Sequence, residues 1–457
     1  MRIGKYDFDH GRRHLMEKTI KGAGYAGVLG SVWPMITRAD TPDISKAYPE
    51  ELTSIEAQTK GKIKPGDVIT ADNVEHVKHL LTPIQAWEIE HDGRRIDIGE
   101  ATTDVSDLFE APYLEASLRN QGRAILDDDL NLWDRQQGVP AKGGLAFTEP
   151  KTAAEAQANI NFSWGRHNYS QYAVRDWDVG AEGDVQYQYD IVWCELQVTV
   201  RPDWTVWHGQ EDMLRYQSVF FTAPNQQAGI SFLNTWHYDQ NKFPGLVGYL
   251  PAFKRVREYP ANQRFEPLVP GMTVYLSSAW AAGDPMGTWG NYKIVGRQPM
   301  LGAVRKNWWP DRPNWEPPHH GGPKGQTYFN TRFELVPEAL VIDLEPTSYA
   351  RAPVGKRRTW LDVRNGMAIA CIDYDRKGDA WKSFDGAYSK YPGMKTANGD
   401  EPWTWVCAMG HDVQAHRMSR LYQAQEVTGG YQTEWNTSGN VAYNKFLTSQ
   451  ALRRLGA

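Results

Sequence analysis

From about Asn168 to Tyr422 the apolar residues of this chain recur at every second position, broken by turn residues at short intervals. A period of two sustained over such a length is satisfied by a sheet and by little else. Val185, Tyr187, Tyr189, Ile191 and Trp193 alternate with polar residues, and the apolar set then jumps to Leu196, Val198 and Val200. That change of phase at Cys194-Glu195 predicts a β-bulge, or a strand turning its other face inward, the device of a strongly curved sheet. Further strands are expected at 213–222, 228–236, 271–277, 291–297, 328–344, 358–364, 367–374, 380–388, 403–409 and 416–424. Asp375-Arg376-Lys377-Gly378 reads as a hairpin turn, with Gly378 free to take a positive φ.

Ahead of the strands, residues 44–165 read as helices and loops. Ser45 is placed to cap a short helix through Tyr48 to Thr59. Thr70-Ala71-Asp72-Asn73 opens another, in which Val74, Val77, Leu80 and Leu81 recur at helical spacing. Pro112 to Leu118 and Thr152 to Ile160 predict two more, and Gly138 to Pro150 is loop. The apolar content is thin for an independent core, so this part is expected to wrap on the sheet.

The first forty residues read as an export signal. Arg12-Arg13 precedes a mild apolar run from Ala23 to Ile36, and Thr37-Arg38-Ala39 resembles a small-residue cleavage site. The run is shorter than the ~20 residues needed to span a bilayer. The order resembles a twin-arginine leader, which puts the mature start near Asp40 and the protein in the periplasm. The expected division is 1–39 leader, 40–165 helical extension, 166–425 sheet and 426–457 tail. The fold class is α+β and β-dominated, built on a curved antiparallel sheet.

Hydrophobic residues at 41% and charged residues at 23% of 457 suit a soluble globular body. The net charge of −5, with a basic leader included, argues against nucleic-acid binding, which depends on a basic surface. Three cysteines, Cys194, Cys371 and Cys407, make neither a disulfide framework nor a metal cluster. Free thiols are expected, with a Cys371–Cys407 bridge as the alternative. The anomaly is aromatic: 19 Trp, 22 Tyr and 14 Phe. Large rings fill strands, and they also line apolar or sugar-binding clefts.

Chemistry-bearing motifs are scarce. His319-His320 invites a metal, but adjacent residues on a strand point to opposite faces, and a third ligand such as Glu316 would be needed. No metal is expected there. His411 and His416 do not match a zinc motif, and Asp127-Asp128-Asp129 lacks the spacing of a calcium loop. No nucleophile elbow, phosphate loop or dinucleotide fingerprint occurs in its required context. No cofactor is implied, no residue is assigned a chemical step, and the balance leans away from an enzyme. The Trp308–Gly325 segment, dense in Pro, Gly, His and Trp, is expected to be a long functional surface loop.

Five blocks carry a family resemblance: Phe253 to Pro260, Trp289 to Gly296, Arg332 to Ile342, Lys356 to Asp362, and Tyr374 to Lys382. In that order they are similar to the proteobacterial domain-of-unknown-function family 1329, over about residues 65–425. The resemblance implies a half-open antiparallel β-barrel with helices on its concave face, like the Lol lipoprotein carriers. It also implies a periplasmic or outer-membrane-associated protein, and it supplies no catalytic mechanism. The twin-arginine-like leader and the Trp308–Gly325 loop depart from the family pattern.

A carrier for a lipid or other hydrophobic compound is therefore the leading expectation, peripheral to the membrane at most. Trp193, Trp236, Tyr249, Trp360, Tyr374 and Trp381 are the candidate ligand-binding residues. The polar motif residues are Arg257, Arg332, Glu334, Arg358, Asp362 and Asp375. Their structural reading pairs the three arginines with the three acids at strand ends, and Tyr374 with Trp381 across a hairpin. Two alternatives are a polysaccharide-binding module or hydrolase using aromatic platforms, and a structural accessory of an export complex. An outer-membrane barrel or exporter is the partner that the resemblance implies.

Overall fold

The computed structural model describes residue 33 and residues 47–456, apart from 164–165, 279–282, 396–398, 400 and 436–437. The paired arginines and the junction near Asp40 lie outside the described residues. Of the expected leader only Trp33 is described, and it is buried, edge-on to Phe109 at 6.0 Å.

One sheet of sixteen strands dominates the described residues. Its body consists of β1 (Tyr169–Val179), β2 (Val185–Gln197), β3 (Met213–Ala223), β4 (Ser231–His237), β5 (Gly245–Leu250) and β6 (Arg255–Glu258). It continues with β7 (Gly290–Gly302), β8 (Arg332–Glu345), β9 (Val354–Asp362), β10 (Met367–Asp375), β11 (Ala380–Lys390), β12 (Trp403–Asp412) and β13 (Arg417–Gln423). Two antiparallel meanders, β1 to β6 and β7 to β13, join where β13 pairs with β1. The sheet is left open between β6 and β7, which are consecutive in sequence. Bulges at Asp178/Val179, Asp190/Ile191, Trp360/Leu361 and Ala387/Tyr388 add the local twist that curls it. The result is a half-open antiparallel barrel.

The phase change at Cys194-Glu195 has another cause than a bulge at that point. Register with β3 is unbroken from Ile191 to Gln197. Both faces of β2 are covered, so Val192, Cys194 and Leu196 bury on one side while Ile191 packs on the other.

The inner face carries Tyr172, Trp193 and Trp405. A ten-residue helix lies across it, Ala153–Phe162, capped by the reciprocal Thr152 and Glu155 pair. Though about 15 Å long, this helix reaches both wings of the sheet. Arg215 of β3 donates to Asn161 O at 2.6 Å, and Gln197 of β2 donates to Phe162 O. At the other wing Ile160 packs with Leu340, Ile342 and Leu361 of β8 and β9. One short helix can touch both wings only because the sheet curves around it.

The chain between β6 and β7 crosses the same face as a strap. Arg264 holds Asn234 of β4, Pro270 O accepts from Tyr189 of β2, and Thr273 bonds Ser419 of β13 and Gly410 of β12. Ser277 O then accepts from Arg357 of β9. The expected strand at 271–277 is therefore not a strand. Its alternating apolar residues bury, but its polar groups bond sideways to successive strands rather than to a neighbour in register.

The outer face is covered by the N-terminal segment and by the C-terminal helices Gly439–Phe446 and Ser449–Leu455. The helix expected over 70–81 is two 3-10 turns, because Asn73 bonds Thr70 N and Val68 O instead of continuing a helix. A regular helix follows at Pro83–His91, with Thr82 and Gln85 as its capping box. The helix expected from Tyr48 to Thr59 is broken into Glu50–Thr53 and Ile55–Gln58, with Ser54 capping the second, and its expected cap, Ser45, lies outside the described residues. Helix Ala111–Asn120 and the Asp375–Gly378 turn, with Gly378 at φ +86, lie where expected. All three cysteines are buried, and none is in a disulfide. Cys371 faces inward and Cys407 outward, with β11 between their strands, so the alternative bridge does not form.

Candidate functional site

β13 stops at Gln423, and the inner face beyond it is lined by rings that share packed clusters with the strap residues Val269, Met272 and Val274. A cleft there encloses about 490 Å³ of space not filled by atoms, part of it open to solvent. Its walls are Tyr172 of β1, Trp193 and Glu195 of β2, Met367 of β10, Tyr388 of β11, and Trp403, Thr404 and Trp405 of β12, closed by Arg166 and His167. Period-two alternation brings these rings to one face, and the bulge at Ala387/Tyr388 keeps Tyr388 opposite Trp405.

The rings hold one another in place. Tyr388 stacks on Trp403 at 5.0 Å and 6°, and its hydroxyl donates to Ala368 O. Tyr172 meets Trp405 and Trp435 edge-on at 5.6 and 6.2 Å. From Trp435 the aromatic contacts continue through Tyr391 to Trp308 and Trp315, so the Trp308–Gly325 loop joins the rim of the cleft.

Polar groups are few and mostly engaged. Glu195 Oε1 accepts from Trp193 Nε1 at 2.9 Å and from Gln217 Nε2 at 3.1 Å. His167 Nδ1 lies 2.5 Å from Glu110 Oε2, and Thr404 accepts from Gln423. Burial pushes the Tyr172 hydroxyl up, so it stays neutral. Burial likewise lowers the Arg166 pKa below the usual guanidinium value. The arrangement can exclude water around a small apolar body. Among the described residues it presents no nucleophile and base in contact.

Of the residues expected from sequence, Trp193 lines this cleft. Trp236 is on the inner face but fully buried between Arg215 and Arg264, while Trp381 stacks on Tyr275 under the strap. Tyr249, Trp360 and Tyr374 lie on the outer face, where Tyr249 and Trp360 belong to separate packed clusters. Tyr374 therefore does not meet Trp381, and Lys356 covers its ring instead.

The expected ion pairs are also different ones. Arg358 grips Asp343 of β8, Arg332 bonds Lys306 O, and Arg257 covers Phe253. Glu334 bonds Thr102 and faces Arg364 at 3.5 Å, Asp362 is held by Arg364, and Asp375 caps its own turn and takes Gln414. Only the Arg358–Asp343 pair follows cross-strand register, while the other partners come from turns and loops that the linear motifs do not reveal. His320 Nε2 accepts from Arg95 N at 2.7 Å, its pKa lowered to about 4 by burial, while His319 lies 3.7 Å from Glu316. Among the described residues no group of three His, Cys, Asp or Glu side chains is assembled for a metal.

Tyr172, Tyr388, Trp403, Trp405 and Arg166 were not legible as site residues. The Trp403-x-Trp405 spacing after Pro402 was the available signal, since it puts two indoles on one face of a strand.

The strands thus form a half-open barrel with an aromatic cleft on its inner face. The chain belongs to the family described as "Protein of unknown function (DUF1329)", whose pattern matches residues 68–453. Among curated proteins none matches the sequence. In fold it is similar to a Vibrio parahaemolyticus domain described as outer membrane lipoprotein-sorting, at 16% identity and a TM-score of 0.43, covering 66% of this chain and 97% of that one. A DUF1329 family protein from Desulfovibrio piger gives 11% and 0.41, over 61% and 89%. A LolA superfamily protein from Nitrosomonas europaea gives 11% and 0.36, over 66% and 100%. Among the described residues no helix is long and apolar enough to cross a membrane.

Proposed function

We propose that this protein is a periplasmic carrier that shelters a small hydrophobic compound in the aromatic cleft and hands it to an envelope partner, such as an outer-membrane barrel or exporter. The observation that carries this reading is the convergence of five rings from four strands on one inner-face cleft. Covering about 150 Å² of apolar ligand surface contributes about 4 kcal/mol at 25 cal/mol per Å². That gain suits a cargo that must later be released.

The test is native mass spectrometry of protein purified from the periplasm, with solvent extraction of the same sample. A stoichiometric apolar compound is the expected result. A clean ligand-free mass, together with tryptophan fluorescence indifferent to added short-chain amphiphiles, would sink the reading.

A further inference from the structure

Arg166 is the anomaly of the cleft. It is 8% exposed, and its backbone sits at φ +56, a conformation that non-glycine residues adopt at a cost. Its guanidinium lies between the rings of Tyr113 and Trp403, with Cζ at 4.8 and 5.0 Å from their centroids. Nη2 donates to Asn365 O, whereas Nη1 is buried with no hydrogen-bond partner among the described residues.

The other buried arginines show what is missing. Arg94 holds Glu88 and Asp385, Arg264 holds Asp284, Arg357 holds Asp373, and Arg364 holds Asp362. Arg215 and Arg420 also lack an ion-pair partner among the described residues, but Arg215 donates to Asn161 O and Gly283 O, and the rings of Trp177 and Phe329 cover Arg420 on the outer face. Arg166 differs because it lines a cleft open to solvent. The acid whose charge reaches it, Asp362, is already bound by Arg364. A buried charge without a counter-charge is costly, and an entering anion relieves that cost.

Building on the carrier reading, we infer that the compound held in the cleft has an anionic head group, a carboxylate or a phosphate monoester, seated on Arg166 Nη1 with its apolar part against the aromatic walls. An aromatic cage with a nearby acid also suits a quaternary ammonium. Here Glu195 is engaged by Trp193 and Gln217, while the unmet group is a cation, which disfavours a cationic guest.

The experiment titrates the full chain at pH 7.5 with octanoate, octyl phosphate, octan-1-ol and octyltrimethylammonium, following tryptophan fluorescence. One or both anions should bind about tenfold or more tightly than the alcohol, the scale of a hydrogen bond to a charged group. Which anion leads distinguishes a carboxylate cargo from a phosphate one. Arg166→Gln should remove the anion preference and leave the alcohol unchanged, and Arg166→Lys should restore part of it. If Arg166→Gln does not fold, the four-ligand series on the unaltered protein decides alone. Equal or tighter binding of the alcohol or the ammonium overturns the head-group assignment and leaves the carrier reading standing. Failure of all four to bind overturns both.

Discussion

Tyr172 and Trp405 touch at 5.6 Å although their strands, β1 and β12, are not neighbours in the sheet. The strand between them pairs Val174 with Gln423 and ends there. At the level of Tyr172 the strand Glu434–Trp435 takes the place of β13 beside β1, and the two rings meet with Trp435 on the inner face.

That contact makes Trp405 separable from the core. Trp405→Ala should leave cooperative unfolding intact and weaken octanoate binding several-fold, since an aromatic contact contributes about 0.5–1.5 kcal/mol. Trp360, buried on the outer face, is the contrasting case. Trp360→Ala should cost about 3–5 kcal/mol in urea unfolding while the folded fraction binds normally. Equal effects of both changes on affinity would contradict the assignment of faces.

A second expectation concerns Asp176 and Asp178, side by side on the inner face of β1. Asp176 is fully buried without an ion-pair partner among the described residues, and burial followed by the charge of Asp178 raises it well above the carboxylate range. Asp178 accepts from Ser419, and burial raises it to about 7. Between about pH 4 and pH 7 the unfolded chain has released the Asp178 proton that the folded protein keeps. This group's stabilisation is therefore complete below about pH 4, falls as pH rises, and is gone above about pH 7. Asp176 acts in the same sense. Urea midpoints measured from pH 5 to pH 8 should decline in the parent and decline less in the Asp176→Asn, Asp178→Asn double variant.

The buried network on the outer face gives a third. Arg94 Nη1 bonds Asp385 Oδ2 at 2.6 Å and also holds Glu88, whose Oε1 lies 2.6 Å from His411 Nδ1. Arg94→Leu leaves two carboxylates buried without their cation and should cost about 3–5 kcal/mol in chemical denaturation. A loss under 1 kcal/mol would show that water reaches the acids.

Thiol chemistry offers a fourth. Burial raises the Cys194 thiol well above its ordinary range and pushes Cys407 up to about 12, and Cys371 is buried as well. A thiol-reactive aromatic disulfide should label no cysteine in the folded protein and three per chain in denaturant. Two thiols in denaturant would mean that one is modified, and one would mean a bridge.

The strands were legible because a period of two survives any curvature. β3, β4 and β7 to β13 lie close to where alternation puts them. The side of the sheet was not legible. Both faces are covered, so Trp360 and Trp193 have the same sequence signature and opposite destinations. The strap imitated a strand because Thr273 and Tyr275 alternate with Met272 and Val274, and only the absence of a registered neighbour tells them apart. Arg166 gave no signal, since what sets it apart is a missing partner, which is a property of three dimensions.

The seam between β13 and β1 has a consequence for how the chain reaches this shape. Every other pairing in the two meanders is between strands that follow one another along the meander, the longest connection being 303–331 between β7 and β8, whereas the seam brings Val179 to Met418. Each meander can assemble by itself, and the long-range closure is left to the end, the step that high contact order makes slow. Refolding should therefore pass through two half-sheets whose Tyr172 and Trp405 rings are still apart. The aromatic cleft would be the last part of the molecule to form and the first to be lost.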